Sequence, residues 1–142
     1  MSVKKLPLEE FKAIYSKVPR LCVDLVIRNK DEILLTLRDI KPAGRWHLPG
    51  GTVLHRESLE DTAKRVAKEE LGIDIKIQKL LGAIDFYNDK TGLGHPVSIA
   101  FEASPIGNKI KLDSQAKKYK YFKKIPDNSF TEQKEFLEKL LS

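Results

Sequence analysis

The chain has one cysteine, one methionine and one tryptophan among 142 residues. A lone Cys22 excludes an internal disulfide and leaves no thiolate set for a metal centre. No apolar run approaches the roughly 20 residues needed to cross a bilayer. Residues 1–7 (MSVKKLP) lack the apolar core of a signal peptide. The expectation is therefore a cytoplasmic protein with no membrane partner. Internal repeats, low-complexity tracts and linkers rich in proline or glycine are also missing.

What is present is a globular balance of 41% hydrophobic and 32% charged residues. One domain over residues 1–142 is expected, long enough to bury about two-thirds of its unfolded surface. A net charge of +6 favours anionic partners. The basic residues are dispersed, apart from Lys117, Lys118, Lys120, Lys123 and Lys124. These alternate with Tyr119, Tyr121 and Phe122, a pattern of an edge strand with one wet face more than of a stacking platform. Nucleic acid accordingly ranks last among the candidate partners.

Residues 8–18 place Phe11, Ile14, Tyr15 and Val18 at helical spacing before Pro19. Residues 21–28 and 32–38 read as two strands of a hairpin around Asn29-Lys30-Asp31. Asp24 interrupts the first, either as a buried carboxylate with donors or as a strand end at a pocket. Arg38 closes the second and leads through Pro42, Ala43 and Gly44 to a Gly50-Gly51 turn. Later strands are expected at 75–87, 97–103 and 118–125, with a short one at 110–112 and a loop at 88–96. A final helix covers 131–141, with Thr131 as its N-cap.

The most informative stretch is residues 51–73, GTVLHRESLEDTAKRVAKEELGI. On a helical wheel of about 100° per residue, Leu59, Ala63 and Val66 share one side and Glu70 falls on the same meridian. A carboxylate on an apolar stripe is costly unless a cation or several donors neutralise it. Glu69 lies one turn after Arg65, so the helix offers two adjoining carboxylates and a guanidinium. An ordinary i,i+4 ion pair accounts for Arg65 and Glu69 but not for Glu70.

These residues resemble the Nudix hydrolase signature, Gly-x5-Glu-x7-Arg-Glu-hydrophobic-x-Glu-Glu-x-Gly-hydrophobic. Gly51, Glu57, Arg65, Ala67, Glu69, Glu70, Gly72 and Ile73 match, and Val66 replaces one glutamate. The resemblance implies an α/β fold, a Nudix-like α/β/α sandwich around a mixed β-sheet. Within the family the chain is most similar to the GDP-mannose mannosyl hydrolase group. That likeness runs through the helix before Pro19, the Asp24 strand, residues 38–51 and residues 113–119.

It implies a magnesium-dependent hydrolase of nucleoside diphosphate derivatives, with nucleotide sugars as the expected class, and a non-catalytic Nudix domain binding a nucleotide sugar or related metabolite as the alternative. The implied Mg2+ donors are Gly51, through a backbone carbonyl, with Glu69, Glu70 and Gln115. Arg38, Arg65 and Glu69 are the catalytic candidates. Asp24, Arg38, Asp85, Tyr87 and His95 are the candidates for substrate contact, and a homodimer is allowed for. In ordinary Nudix enzymes water attacks phosphorus; in the mannosyl hydrolase group it attacks the anomeric carbon.

The departure that matters most is Ala116, which stands where that group places its general base, a histidine next to the metal-binding glutamine. Asp85, His95 and Glu69 are the candidate substitutes. If none has taken over, Ala116→His should raise the rate of sugar release by roughly one to two orders of magnitude, the gain appearing as pH rises through the imidazole's pKa of about 6.5. Steady-state rates across pH check this, and an unchanged rate points to a relocated base.

Overall fold

The computed structural model describes residues 4–39, 43–88, 94–107, 110 and 116–142, the side chains of 116 and 117 excepted. Helix α1 (Leu8–Tyr15) leads into β1 (Arg20–Asn29) and β2 (Glu32–Arg38), followed by the short strands β3 (Trp46–His47) and β4 (Gly50–Thr52). Helix α2 (Leu59–Val66) continues as a π-helical turn over Ala67–Leu71. Strands β5 (Asp74–Asp85), β6 (Pro96–Ile106) and β7 (Ala116–Phe122) precede the last helix, α3 (Thr131–Leu141).

The sheet is mixed, in the order β3-β2-β1-β6-β5, with β4 added to β1 and β7 to β2. β1 and β6 run parallel from Arg20 opposite Pro96 to Ile27 opposite Ala103. β1 and β2 stay paired only beside their turn, at Arg28 with Ile33 and Asn29 with Glu32. Beyond that point β1 pairs with β4 and β2 pairs with β7. The splayed hairpin opens a gap between the two halves of the sheet.

Alternation along β1 decides which residues meet which helix. Val23, Leu25 and Ile27 are fully buried in the layer containing Ala63, Val66, Ala67 and Leu71 of the signature helix. Val26 faces the opposite layer with Leu137 of α3. Each buried aliphatic side chain contributes roughly 1.5–3 kcal/mol, so the two layers fix both helices against the strand that carries Asp24. The α/β/α expectation holds.

Three local expectations change. α1 ends at Tyr15, has no buried residue, and leaves Val18 47% exposed, so its apolar side does not enter the core. At the N-cap of α3 stands Phe130, with no side-chain cap bond, in place of Thr131. The wheel drawn through Glu70 breaks at Ala67, because the π-turn's i→i+5 bonding widens the spiral. Leu71 takes the buried position and Glu70 is left half-buried at the rim. Gly72 ends the turn at φ 66°, a left-handed conformation that glycine adopts without a Cβ clash.

Arg65 pins this segment. Its Nε donates to Glu57 Oε2 at 2.8 Å, its Nη2 to Glu57 Oε1 at 3.0 Å and to the Thr52 carbonyl at 2.8 Å, and its Nη1 to Glu69 Oε1 at 2.9 Å. Glu57 also accepts from the Thr62 hydroxyl and the Leu54 N–H. Its side chain is only 4% exposed. The Arg65 hydrogen bonds, ahead of those from Thr62 and Leu54, hold the Glu57 carboxyl down at about 2 against an ordinary 4.5.

A carboxylate whose folded-state pKa is depressed adds stability that is complete above its unfolded pKa and is lost as pH falls through its folded pKa. Here that window runs from about pH 4.5 down to about 2. Glu57→Gln should cost about 2–4 kcal/mol at pH 7, leaving Arg65 poorly paired. It should also flatten the loss of stability across that acid window. Urea unfolding of both proteins from pH 2 to 7 checks this, and parallel curves would refute it.

Candidate functional site

A cleft of about 1600 Å³ opens where β1 and β2 part. Its floor comes from the strand face that carries Arg20, Cys22 and Asp24, with Ser98 of β6 and Gly50 and Thr52 of β4. Arg38 at the end of β2 and Glu69 and Glu70 at the end of the signature helix form its sides. α1 supplies further lining through Phe11, Lys12 and Tyr15. The helix that fails to enter the core therefore walls the cleft.

At one end Asp24 is 5% exposed, in mid-strand rather than at a strand end. Burial pushes its carboxyl up to about 7, opposed by hydrogen bonds from Gln133 and Ser98 and by the charge of Arg20. Gln133 Oε1 accepts from the Leu48 N–H at 3.0 Å, which orients its Nε2 to donate to Asp24 Oδ2 at 3.0 Å. The first sequence reading of Asp24, a buried carboxylate with donors, matches this environment; the strand-end reading does not, although Asp24 does line the cleft. Gly50 has to be glycine, since an added Cβ would collide with Asp24 Oδ1.

Glu70 Oε2 accepts from the Gly50 N–H at 3.2 Å, tying the end of the signature helix to the Gly50-Gly51 turn. Glu70 also attracts Arg38, raising a guanidinium pKa that burial, the larger effect, lowers. Glu69 is 42% exposed, with Lys5 Nζ 3.0 Å from Oε2 and Arg65 on Oε1. Val66, in the slot of the family's glutamate, is 2% exposed, and its Cγ2 would lie 3.0 Å from a Cβ on Gly51. That position is filled by packing rather than by a carboxylate.

Among the described residues no cluster of three or more histidine, cysteine, aspartate and glutamate side chains converges as a metal site. Two adjoining carboxylates, Glu69 and Glu70, line the cleft beside the half-buried Gly50 and Gly51 of β4. Hard oxygen donors of this kind suit magnesium, which takes one or two carboxylates and keeps several waters. Gln115 lies outside the described residues. Ala116 begins β7 opposite Arg38, and its side chain is likewise outside them.

The remaining candidates separate. His95 Nε2 and Asp85 Oδ1 pair at 2.8 Å across the ends of β6 and β5, where neither side chain lines the cleft. Tyr87 is 76% exposed and also stands outside the lining. Their neighbours Phe86 and Pro96 turn inward in their place. Of the three proposed substitute bases, Glu69 alone lines the cleft.

Sequence reasoning passed over Gln133, His47 and Arg20. Gln133 carries the signal that exposed Glu70, a polar residue on the meridian of Leu137 and Leu140. His47 is at a β3 position opposite Thr36, with Nδ1 2.8 Å from the Leu48 carbonyl. Arg20 is two residues from Cys22 and four from Asp24, hence on their face of β1.

Comparison with known proteins agrees with this geometry. The NUDIX domain profile matches residues 18–136. The low-salt glycan biosynthesis protein Agl8 of Haloferax volcanii is 38% identical over 124 residues, covering 83% of this chain and 80% of that protein. An ADP-ribose pyrophosphatase of Methanocaldococcus jannaschii is 33% identical over 135 residues, covering 93% of this chain and 78% of that protein. Among solved structures, a MutT NUDIX hydrolase from Burkholderia pseudomallei superposes with a TM-score of 0.76 at 27% identity, covering 85% of this chain and 97% of that one. The profile spans most of the chain, two relatives exceed 30% identity over most of its length, and the chain belongs to the Nudix hydrolase family.

Proposed function

We propose that the protein is a magnesium-dependent hydrolase of nucleoside diphosphate derivatives, with nucleotide sugars as its substrate class and the GDP-mannose mannosyl hydrolases as its nearest functional type. The observation that carries this reading is the meeting of Glu70 and Arg38 at one cleft, beside the Gly50-Gly51 turn. An acid pair for a cation and a fixed guanidinium for an anion are what a diphosphate requires. The names of two relatives lend support: one belongs to glycan biosynthesis, and the other acts on ADP-ribose, a sugar joined to a nucleoside diphosphate.

In this reading Glu69, Glu70, a carbonyl of Gly50 or Gly51, and Gln115 would hold the cation, whose chemistry there would be charge neutralisation at the diphosphate oxygens and on the departing anion. Arg38 presents planar donors to the diphosphate and holds it in register. Asp24, oriented by Gln133, faces the other end of the cleft, where a carboxylate accepts paired N–H donors such as those of guanine.

A binding-only role is the second reading, favoured by Ala116 and by the buried Val66. A panel of nucleotide sugars incubated with magnesium separates the readings by product. Free sugar with nucleoside diphosphate indicates attack at carbon, and sugar phosphate with nucleoside monophosphate indicates attack at phosphorus. Either product supports the hydrolase. Saturable nucleotide binding without turnover overturns it in favour of the binder.

A further inference from the structure

Arg20 is the half-buried cation of the cleft that the proposed diphosphate chemistry leaves without a task. Its Nη1 donates to Thr52 Oγ1 at 2.7 Å and to Cys22 Sγ at 3.1 Å, and its guanidinium carbon stands 5.4 Å from the centroid of the Phe11 ring. Its Nε is buried and has no hydrogen-bond partner. None of the described residues supplies a carboxylate in an ion pair with it. The carboxyl that feels its charge is Asp24, which burial inclines toward the neutral acid.

A guanidinium drawn out of water needs a counter-charge, and held by a hydroxyl, a thiol and a ring it has geometry without neutralisation. Arg38 lines the same cleft, where burial lowers its pKa, Glu70 opposes that, and the charge of Arg20 adds a smaller repulsion. Two mutually repelling guanidinium groups lining one cleft are stabilised together by a ligand bearing more than one negative charge. The rigid fork of arginine suits phosphate oxygens in particular.

We infer that Arg20 is a second anion-binding side chain of the cleft, acting with Arg38 on a multiply charged phosphate-bearing ligand. The inference rests on the proposed nucleoside diphosphate chemistry and adds a residue to it. Arg20 is fixed to β4 through Thr52 and to α1 through Phe11, so an anion drawn to it also bears on α1.

The test is calorimetric titration of the full chain with inorganic pyrophosphate, GDP and guanosine, in chelator and without added metal, at low and moderate salt. Arg20→Met and Arg20→Gln both remove the charge, and glutamine keeps a donor for Thr52; thermal melting identifies which of them folds. A folded neutral variant should bind pyrophosphate and GDP about 10- to 100-fold more weakly than the unaltered protein, the worth of a charge-assisted hydrogen bond. It should also show less salt dependence and an unchanged affinity for guanosine. Arg20→Lys should recover part of the loss.

If the neutral variant binds pyrophosphate and GDP as the unaltered protein does, Arg20 merely tethers α1 and this inference falls while the diphosphate reading stands. If the unaltered protein binds neither phosphate ligand in chelator, the inference falls; if it also binds neither with magnesium added, the diphosphate reading falls with it. Equal losses for guanosine and GDP also overturn the inference, since they mark a general collapse of the cleft.

Discussion

The four-way grip of Arg65 on Glu57, Glu69 and the Thr52 carbonyl is the constraint on which the rest of the structure depends. It joins the loop before the signature helix, the helix itself and β4. The guanidinium fork supplies that register because its donors are fixed in one plane. Remove it, and Glu57 is a buried carboxylate without a cation, while Glu69 and the Gly50-Gly51 turn lose their common anchor. The hydrophobic layer of Ala63, Val66 and Leu71 keeps the helix on the sheet, but it does not determine how the carboxylates face the cleft.

From that anchor the cleft acquires an ordered charge pattern. Glu69 and Glu70 sit at the end of the signature helix, Arg38 opposes Glu70 from β2, and Asp24 with Gln133 lies at the buried end. The splay of β1 from β2 creates the space these groups share, since two strands paired along their whole length would bring Asp24 and Arg38 onto one continuous sheet. α1, unable to bury any of its residues, acquires its partner in the cleft and not in the core. Fold and site therefore depend on the same strand divergence.

Much of this was legible in residue spacing. The β2 and α3 boundaries, the hairpin turn and the glycine stop at Gly72 follow from alternation, helical period and glycine placement. Glu70 stood out as a charge on an apolar stripe, the correct signal, although the π-turn that moves it to the rim is a tertiary accommodation no wheel displays. Gln133 bore the same signal and was passed over because an amide there is less conspicuous than a carboxylate. Arg20, one residue ahead of the strand expected at 21–28, was passed over. Its role depends on what β4 and α1 place around it, contacts 32 residues onward and 9 residues back in the chain. Asp85, His95 and Tyr87 were expected at the pocket because their loop was; the strand ends turn them outward and turn Phe86 and Pro96 in.

We propose that this scaffold presents the Glu69 and Glu70 carboxylates to a hard divalent cation. The most direct measurement is titration with Mn2+ as a magnesium surrogate, free metal being followed by electron paramagnetic resonance, on the unaltered protein and on Glu70→Gln. The substitution is isosteric and removes only the charge. The account predicts a saturable site in the unaltered protein, competed by magnesium, with affinity reduced at least about tenfold in Glu70→Gln, while the melting temperature shows the fold retained. Equal Mn2+ affinity in the two proteins would contradict it.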